Sequence, residues 1–172
     1  MDRGYVQVYT GEGKGKTTAA LGLAIRAAGA GLTVYIAQFM KAKTTSETLA
    51  LSRFNECIEL QQFGCEKFVD KKPSEQDILK ALKGVESVRE KIGSHRFDLV
   101  VLDEISTAIH CGVVDVSLVT EIIDKKPPQT ELVLTGRHAP QEIVSRADLV
   151  TEMREVKHYF RKGVRARRGI EF

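Results

Sequence analysis

A chain of 172 residues and 19.1 kDa has room for one domain with a proper core, and not for two of comfortable size. With 42% hydrophobic and 28% charged residues the composition is that of an ordinary globular protein, and a net charge of +3 is only mildly basic. No window approaches the ~18 consecutive apolar residues that would span a bilayer, so no membrane-spanning helix is expected. The opening stretch MDRGYVQVY lacks the apolar run of a signal peptide. The three cysteines, Cys57, Cys65 and Cys111, are far apart and form no C-x-x-C pair. They read as reduced, partly buried thiols in a cytoplasmic protein.

The first predicted element is a strand, Tyr5–Tyr9, in the run VQVY. It meets the loop TGEGKGKTT, after which an alanine-rich pattern predicts a helix. The loop resembles the Walker A cradle, G-x-x-x-x-G-K-[ST], but counted from Gly11 to Thr17 it is one residue short. Its physical requirements are still met. Gly11, Gly13 and Gly15 let the chain turn and bring backbone N–H groups close to a phosphate. Lys16 supplies a point charge, Thr17 a hydroxyl for Mg²⁺, and the helix starting near Lys16 aims its N-terminus at the anion.

A second strand is predicted at Thr33–Gln38, with Lys41 just beyond its end, and a third at Ile58–Phe63. A helix over 74–92 opens with SEQD, an S-x-x-D start signal after Pro73. Ile78, Leu79, Leu82, Val85, Val88 and Ile92 recur in it at three- and four-residue spacing and predict one buried face. The run FDLVVLDE predicts a strand at Leu99–Leu102 followed by Asp103 and Glu104, as in a Walker B segment. Carboxylates there hold Mg²⁺ directly or through water; as the alternative they merely open a helix. A strand at Glu131–Leu134 leads into TGRHAP, where Arg137 is placed to clamp a phosphate. A weaker strand follows at Leu149–Glu152. His95, His110, His138 and His158 show no metal-ligand spacing.

Short, nearly continuous apolar strands alternating with helices predict an α/β fold. It is a single P-loop domain over residues 1–172, with a mainly parallel sheet and helices on both faces. Chemistry is expected in the loops after residues 9, 38, 63, 103 and 135, at the carboxyl ends of the strands. Residues 154–172 form a basic segment with seven Arg or Lys between Arg154 and Arg168. It reads as a solvated strip, or as contact with an anionic ligand or a second subunit. Nucleic acid is disfavoured because no recognition motif accompanies the charge.

Taken in order, TGEGKGKTTAALGLAIRAAG, QFMK, DLVVLDE, TGRHAPQEIVSRADLVTEMREVKH and GVRARRGIEF resemble the bacterial P-loop ATP:corrinoid (cob(I)alamin) adenosyltransferases. The basic segment 154–172 resembles the family's C-terminal segment, which implies that it folds onto the domain and approaches the active site. The resemblance covers nearly the whole chain, and the shortened cradle is itself a family mark. It implies transfer of the 5′-deoxyadenosyl group of ATP to the Co(I) of cobalamin or a cobinamide-type precursor, with release of triphosphate. It also implies that ATP lies reversed along its loop. The substrates would be ATP and a reduced corrinoid, with Mg²⁺ or Mn²⁺ as cofactor. The implied partners are an electron-donating flavoprotein or other reductant and a second copy in a homodimer, with no nucleic acid and no membrane.

Residue by residue, Gly11, Glu12, Gly13, Lys14, Gly15, Lys16, Thr17 and Thr18 match the family's ATP loop. Thr17 and Glu104 match the metal-holding positions, with Asp103 behind them, and Arg137 matches the arginine on the triphosphate. Lys16, Arg137 and Glu104 are thus the expected catalytic residues. On the corrinoid side the family has a Phe and a Trp that displace the lower ligand of the cobalt. The corresponding stretch here is QQFGCEKFVDKK, in a chain without tryptophan. Phe68 or Phe63 is the candidate wedge, each with core packing as its alternative, and Lys41 is a candidate contact. The alternatives to a transferase are a P-loop NTP hydrolase, a small-molecule kinase or a nucleotide-responsive binding protein.

Overall fold

The computed structural model describes residues 2–65 and 73–172. Phe68 lies outside the described residues. Among these, six strands form one sheet: β1 (Val6–Thr10), β2 (Val34–Phe39), β3 (Ile58–Phe63), β4 (Leu99–Asp103), β5 (Glu131–Thr135) and β6 (Leu149–Glu152). All pairs are parallel, in the order β3-β2-β4-β5-β1-β6. The predicted strands are all present, and the boundaries of four of them move by only a residue. β2 and β4 are buried at every position, as continuous apolar runs covered on both faces must be. β6 lies at one edge and is exposed throughout, which explains its weak apolar signal.

Sheet order dictates which face each helix covers. From β1 the chain moves across to β2 and on to β3, then reverses toward β4, β5 and β6. Right-handed crossovers put opposite directions of travel on opposite faces. Accordingly α1 (Lys16–Gly29) and α2 (Ser46–Leu51) cover one face, where Ala20, Leu21, Ala24 and Leu51 pack on Ile36, Val101 and Val133. The other face carries α3 (Glu75–Gly93), α4 (Ile105–His110), α5 (Val116–Lys125) and α6 (Gln141–Val144). The adjacent strands β1 and β5 send their connections to opposite faces, which opens a crevice at their carboxyl ends.

α3 begins where SEQD predicts. The Asp77 N–H donates to Ser74 Oγ at 3.2 Å, and the Ser74 N–H donates to Asp77 Oδ2 at 2.9 Å. The predicted buried face requires correction. Val85, Val88 and Ile92 are buried, but Leu79 and Leu82 are 60% and 41% exposed, and Ala81 and Gly84 take their place. The helix lies so close to the sheet that a Cβ at Gly84 would stand 2.8 Å from both Phe39 and Phe63. Small residues therefore face the sheet in the first half of the helix, where a scan for large apolar side chains misplaces the stripe that it finds correctly at Val85, Val88 and Ile92. The three cysteines are free and half-buried, as expected.

Candidate active site

β1 ends at Thr10, and the cradle turns from it into α1 through Gly11 and Gly15, with φ of 96° and 122°. The strand end after β6 braces this loop from behind. The Gly13 N–H donates to Met153 O at 2.6 Å. A Cβ at Gly11 or Gly13 would stand 2.5 or 2.7 Å from that same oxygen. Glycine is required here by backbone-to-backbone approach as well as by the positive φ at Gly11.

Lys16 is the only buried lysine or arginine among the described residues. Its Nζ donates to Gly11 O at 2.6 Å and Gly13 O at 2.7 Å, inside the curve of the loop. Burial holds its pKa below the ordinary lysine value. Glu104 and Glu12 pull it back up, and Arg137 pushes it further down.

Asp103, at the end of β4, is fully buried. Its Oδ1 accepts the hydroxyls of Thr17 at 2.9 Å and Thr135 at 2.7 Å. Its Oδ2 accepts Gln38 Nε2 at 3.0 Å and Lys41 Nζ at 2.8 Å. Strands β2, β4 and β5 and helix α1 are thus joined at one carboxylate. Lys41, expected toward the corrinoid, turns its ammonium inward to this charge.

Glu104 follows in a left-handed conformation, φ 62°. Its N–H donates to Thr135 Oγ1 at 2.9 Å, and its carboxylate accepts the Thr107 hydroxyl at 2.6 Å. Met40 and His138 also have positive φ, so the loops after β2, β4 and β5 each hold one non-glycine residue of this kind. Such strained backbone gathers at functional sites. Arg137 stands at the mouth with its guanidinium 3.6 Å from Glu12, whose other oxygen is 3.5 Å from His138. The His138 ring stacks on His110 at 4.1 Å between centroids.

A cleft of about 760 Å³ runs from the cradle residues Glu12–Thr18, past Glu104, Arg137 and Lys41, to Ser46, Ile170 and Phe172. The far wall belongs to the basic tail. Its basic side chains are exposed, but its end folds over the cradle. Glu171 accepts Lys14 Nζ at 2.7 Å, the Arg167 N–H at 2.8 Å and the Tyr159 hydroxyl. Ser46 Oγ donates to Phe172 O at 2.9 Å. The Arg167 guanidinium, then Lys14 and the Tyr159 hydroxyl, hold the Glu171 carboxyl far below the usual carboxylate range. Glu171→Gln should release this latch. Trypsin is expected to cut the tail several-fold faster, and the KM for ATP to rise with kcat little changed. An unaltered digestion rate would show that the latch holds nothing.

The structure thus gathers Gly11–Thr18, Asp103, Glu104, Arg137 and Lys41 around one cleft. Phe63 lies apart, half-buried against Phe39 and beside a cavity of about 460 Å³ lined by Gln62, Lys80 and Lys83. Gln38, Thr135, Thr107 and Met153 were missed by sequence reasoning as site residues. Gln38 and Thr135 carried a usable signal, a polar residue at the carboxyl end of an apolar strand. Thr107 carried none.

Over residues 2–172 the chain matches the family described as ATP:corrinoid adenosyltransferase BtuR/CobO/CobP. It is 36% identical to a corrinoid adenosyltransferase of Sinorhizobium sp, across 99% of this chain and 81% of that relative. It is 35% identical to one from Pseudomonas aeruginosa, across 99% of this chain and 85% of the relative. A third, from Escherichia coli K12, is 32% identical across 99% of this chain and 87% of its own length.

Proposed function

The chain belongs to the ATP:corrinoid adenosyltransferase family, and from that premise we propose how its cleft carries out the transfer. The protein moves the adenosyl group of ATP to a corrinoid. In the proposed step the electron pair of Co(I) attacks the 5′ carbon of ATP. The bond from that carbon to the α-phosphate oxygen breaks, and triphosphate leaves with its electrons. No proton moves, so no general base is required.

Charge therefore grows on the triphosphate, and the cradle is built to receive it. The N–H groups of the loop and the Lys16 ammonium hold the leaving group, and Arg137 closes on it from the loop after β5. The buried Lys16, fixed inside the shortened glycine loop, is the observation that carries this reading.

The oxygen donors beside the cradle suit Mg²⁺ or Mn²⁺. Among the described residues no group of three or more His, Cys, Asp or Glu side chains can hold a metal. An ion held by Thr17 and Glu104 would complete its shell with phosphate oxygens, as Mg²⁺ usually does. Four donors already converge on Asp103, so its part is to orient Thr17. When bound, the ion supplies positive charge to the departing triphosphate.

On the corrinoid side Phe68, with Phe63 nearby in the chain, is the proposed wedge beneath the cobalt. An electron-donating flavoprotein or other reductant delivers Co(I), and the working unit is a homodimer in the cytoplasm. No helix among the described residues is long and apolar enough to cross a membrane.

The deciding experiment mixes the protein anaerobically with Mg-ATP and chemically reduced cobalamin. It follows the light-sensitive cobalt–carbon spectrum and assays triphosphate. Both signals are expected together. Inorganic phosphate with no cobalt–carbon bond would replace the transferase by a hydrolase.

A further inference from the structure

We infer that Thr107 is a positioning residue for the transfer, its one hydroxyl holding the Glu104 carboxylate and the Arg137 backbone in fixed relation across the mouth of the cleft. The inference rests on the roles proposed above for Glu104 and Arg137.

Thr107 is half-buried in the first turn of α4. Its Oγ1 donates to Glu104 Oε2 at 2.6 Å and accepts the Arg137 N–H at 3.1 Å. A hydroxyl has one proton and two lone pairs. An ionised carboxylate only accepts, so the proton must point to Glu104 and a lone pair is left for Arg137. The two contacts therefore orient each other.

The same device recurs one step deeper. The Thr135 hydroxyl donates to Asp103 Oδ1 at 2.7 Å and accepts the Glu104 N–H at 2.9 Å. Asp103 also receives the Thr17 hydroxyl at 2.9 Å. A continuous chain of hydrogen bonds thus links the Arg137 backbone to Thr17, through Thr107, Glu104, Thr135 and Asp103. It ties the residue proposed for the triphosphate to those proposed for the metal.

Glu104 needs such support because its φ of 62° is a conformation that side-chain-bearing residues avoid. That geometry persists only where the surroundings over-determine it. Thr135 grips the Glu104 N–H and Thr107 grips its carboxylate. Partners that orient a metal-ligating carboxylate typically govern affinity and rate without touching the metal.

A purely structural role is the competing explanation, since Thr107 also steadies the start of a short helix. The test therefore compares Thr107→Val, which keeps shape and loses the hydroxyl, with Thr107→Ser, which keeps the hydroxyl. Three readouts are taken on the full chain: kcat for transfer to chemically reduced cobalamin, the Mg²⁺ concentration for half-maximal ATP binding, and the thermal midpoint.

Thr107→Val should lower kcat by about 10–100-fold and raise the Mg²⁺ requirement about 10-fold. Thr107→Ser should restore most of both. In a Glu104→Ala background the valine substitution should add less than about threefold, because the partner it positions is gone. A shifted thermal midpoint with wild-type kcat and Mg²⁺ requirement would reduce Thr107 to a helix-start residue and overturn the inference. So would full additivity with Glu104→Ala. Should the valine variant not fold, Thr107→Ala removes the same hydroxyl and carries the same test. If Glu104→Ala and Arg137→Ala both retain wild-type turnover, the proposed roles fail. That failure is visible whatever Thr107→Val does.

Discussion

Lys16→Ala is expected to cut adenosyl transfer by at least about 10²–10³-fold, the usual effect of deleting one donor aimed at developing negative charge. The residue is 7% exposed, and its ammonium is pinned by two loop carbonyls at 2.6 and 2.7 Å. With two of its three N–H groups on loop carbonyls, the third is left for the leaving triphosphate in the role proposed above. The fold should survive. Lys16 borders an open cleft, and water can take up the two carbonyls that its removal leaves. Lys16→Arg should not rescue activity, because a planar guanidinium cannot replace a compact ammonium inside a tight turn. Cobalt–carbon bond formation and triphosphate release, measured beside a thermal melt, check this directly. Undiminished turnover by a folded Lys16→Ala protein would remove the cradle from the reaction.

The second large effect is on stability. Asp103→Asn should lower the unfolding free energy by about 3–5 kcal/mol, the range for breaking one side of a buried ion pair. The asparagine oxygen can still accept from Thr17 and Thr135. Its NH₂, however, would face two donors, Gln38 Nε2 and Lys41 Nζ, which now lie 3.0 and 2.8 Å from Asp103 Oδ2. Lys41→Met alone should cost a comparable amount, since it leaves a fully buried carboxylate without its cation. The double variant Lys41→Met/Asp103→Asn should recover part of the loss, because removing both charges removes the mismatch. Urea unfolding of the four proteins measures the coupling. Strict additivity would mean that Lys41 and Asp103 are stabilised independently, contrary to the 2.8 Å contact.

Much of this architecture is legible along the chain. Apolar runs such as LVVL and ELVL suggest strands buried on both faces, and β4 and β5 are those strands. The Ser74–Asp77 signal marked the start of α3 to within one residue. The glycine loop, Lys16, Thr17 and the Asp103–Glu104 pair pointed to a phosphate site, and the structure sets the loop, Lys16, Thr17 and Glu104 along one cleft with Asp103 buried behind Thr17. Where reading failed, the reason was size or distance. On α3 the search for large side chains overlooked Ala81 and Gly84, which face the sheet because Phe39 and Phe63 stand so near.

The sequence by itself thus determined the strands with the helices α1 and α3, and the glycine loop that joins β1 to α1. Both follow from short-range rules: side-chain period, turn-forming glycines, and helix-start residues within a few positions of one another. Tertiary structure alone decided what braces the loop and which contacts hold the tail over it. Met153 meets Gly13 from the far side of the chain, and Glu171 meets Lys14 across 157 positions. The four donors on Asp103 likewise come from helix α1, strand β5, strand β2 and the loop that follows β2. Contacts of that range leave no local trace, because each partner satisfies its own stretch of backbone equally well without the other. The parallel pairing sets the strand ends on one edge, and the reversal of direction at β3, which packs the two sets of helices on opposite faces, opens the crevice between their loops.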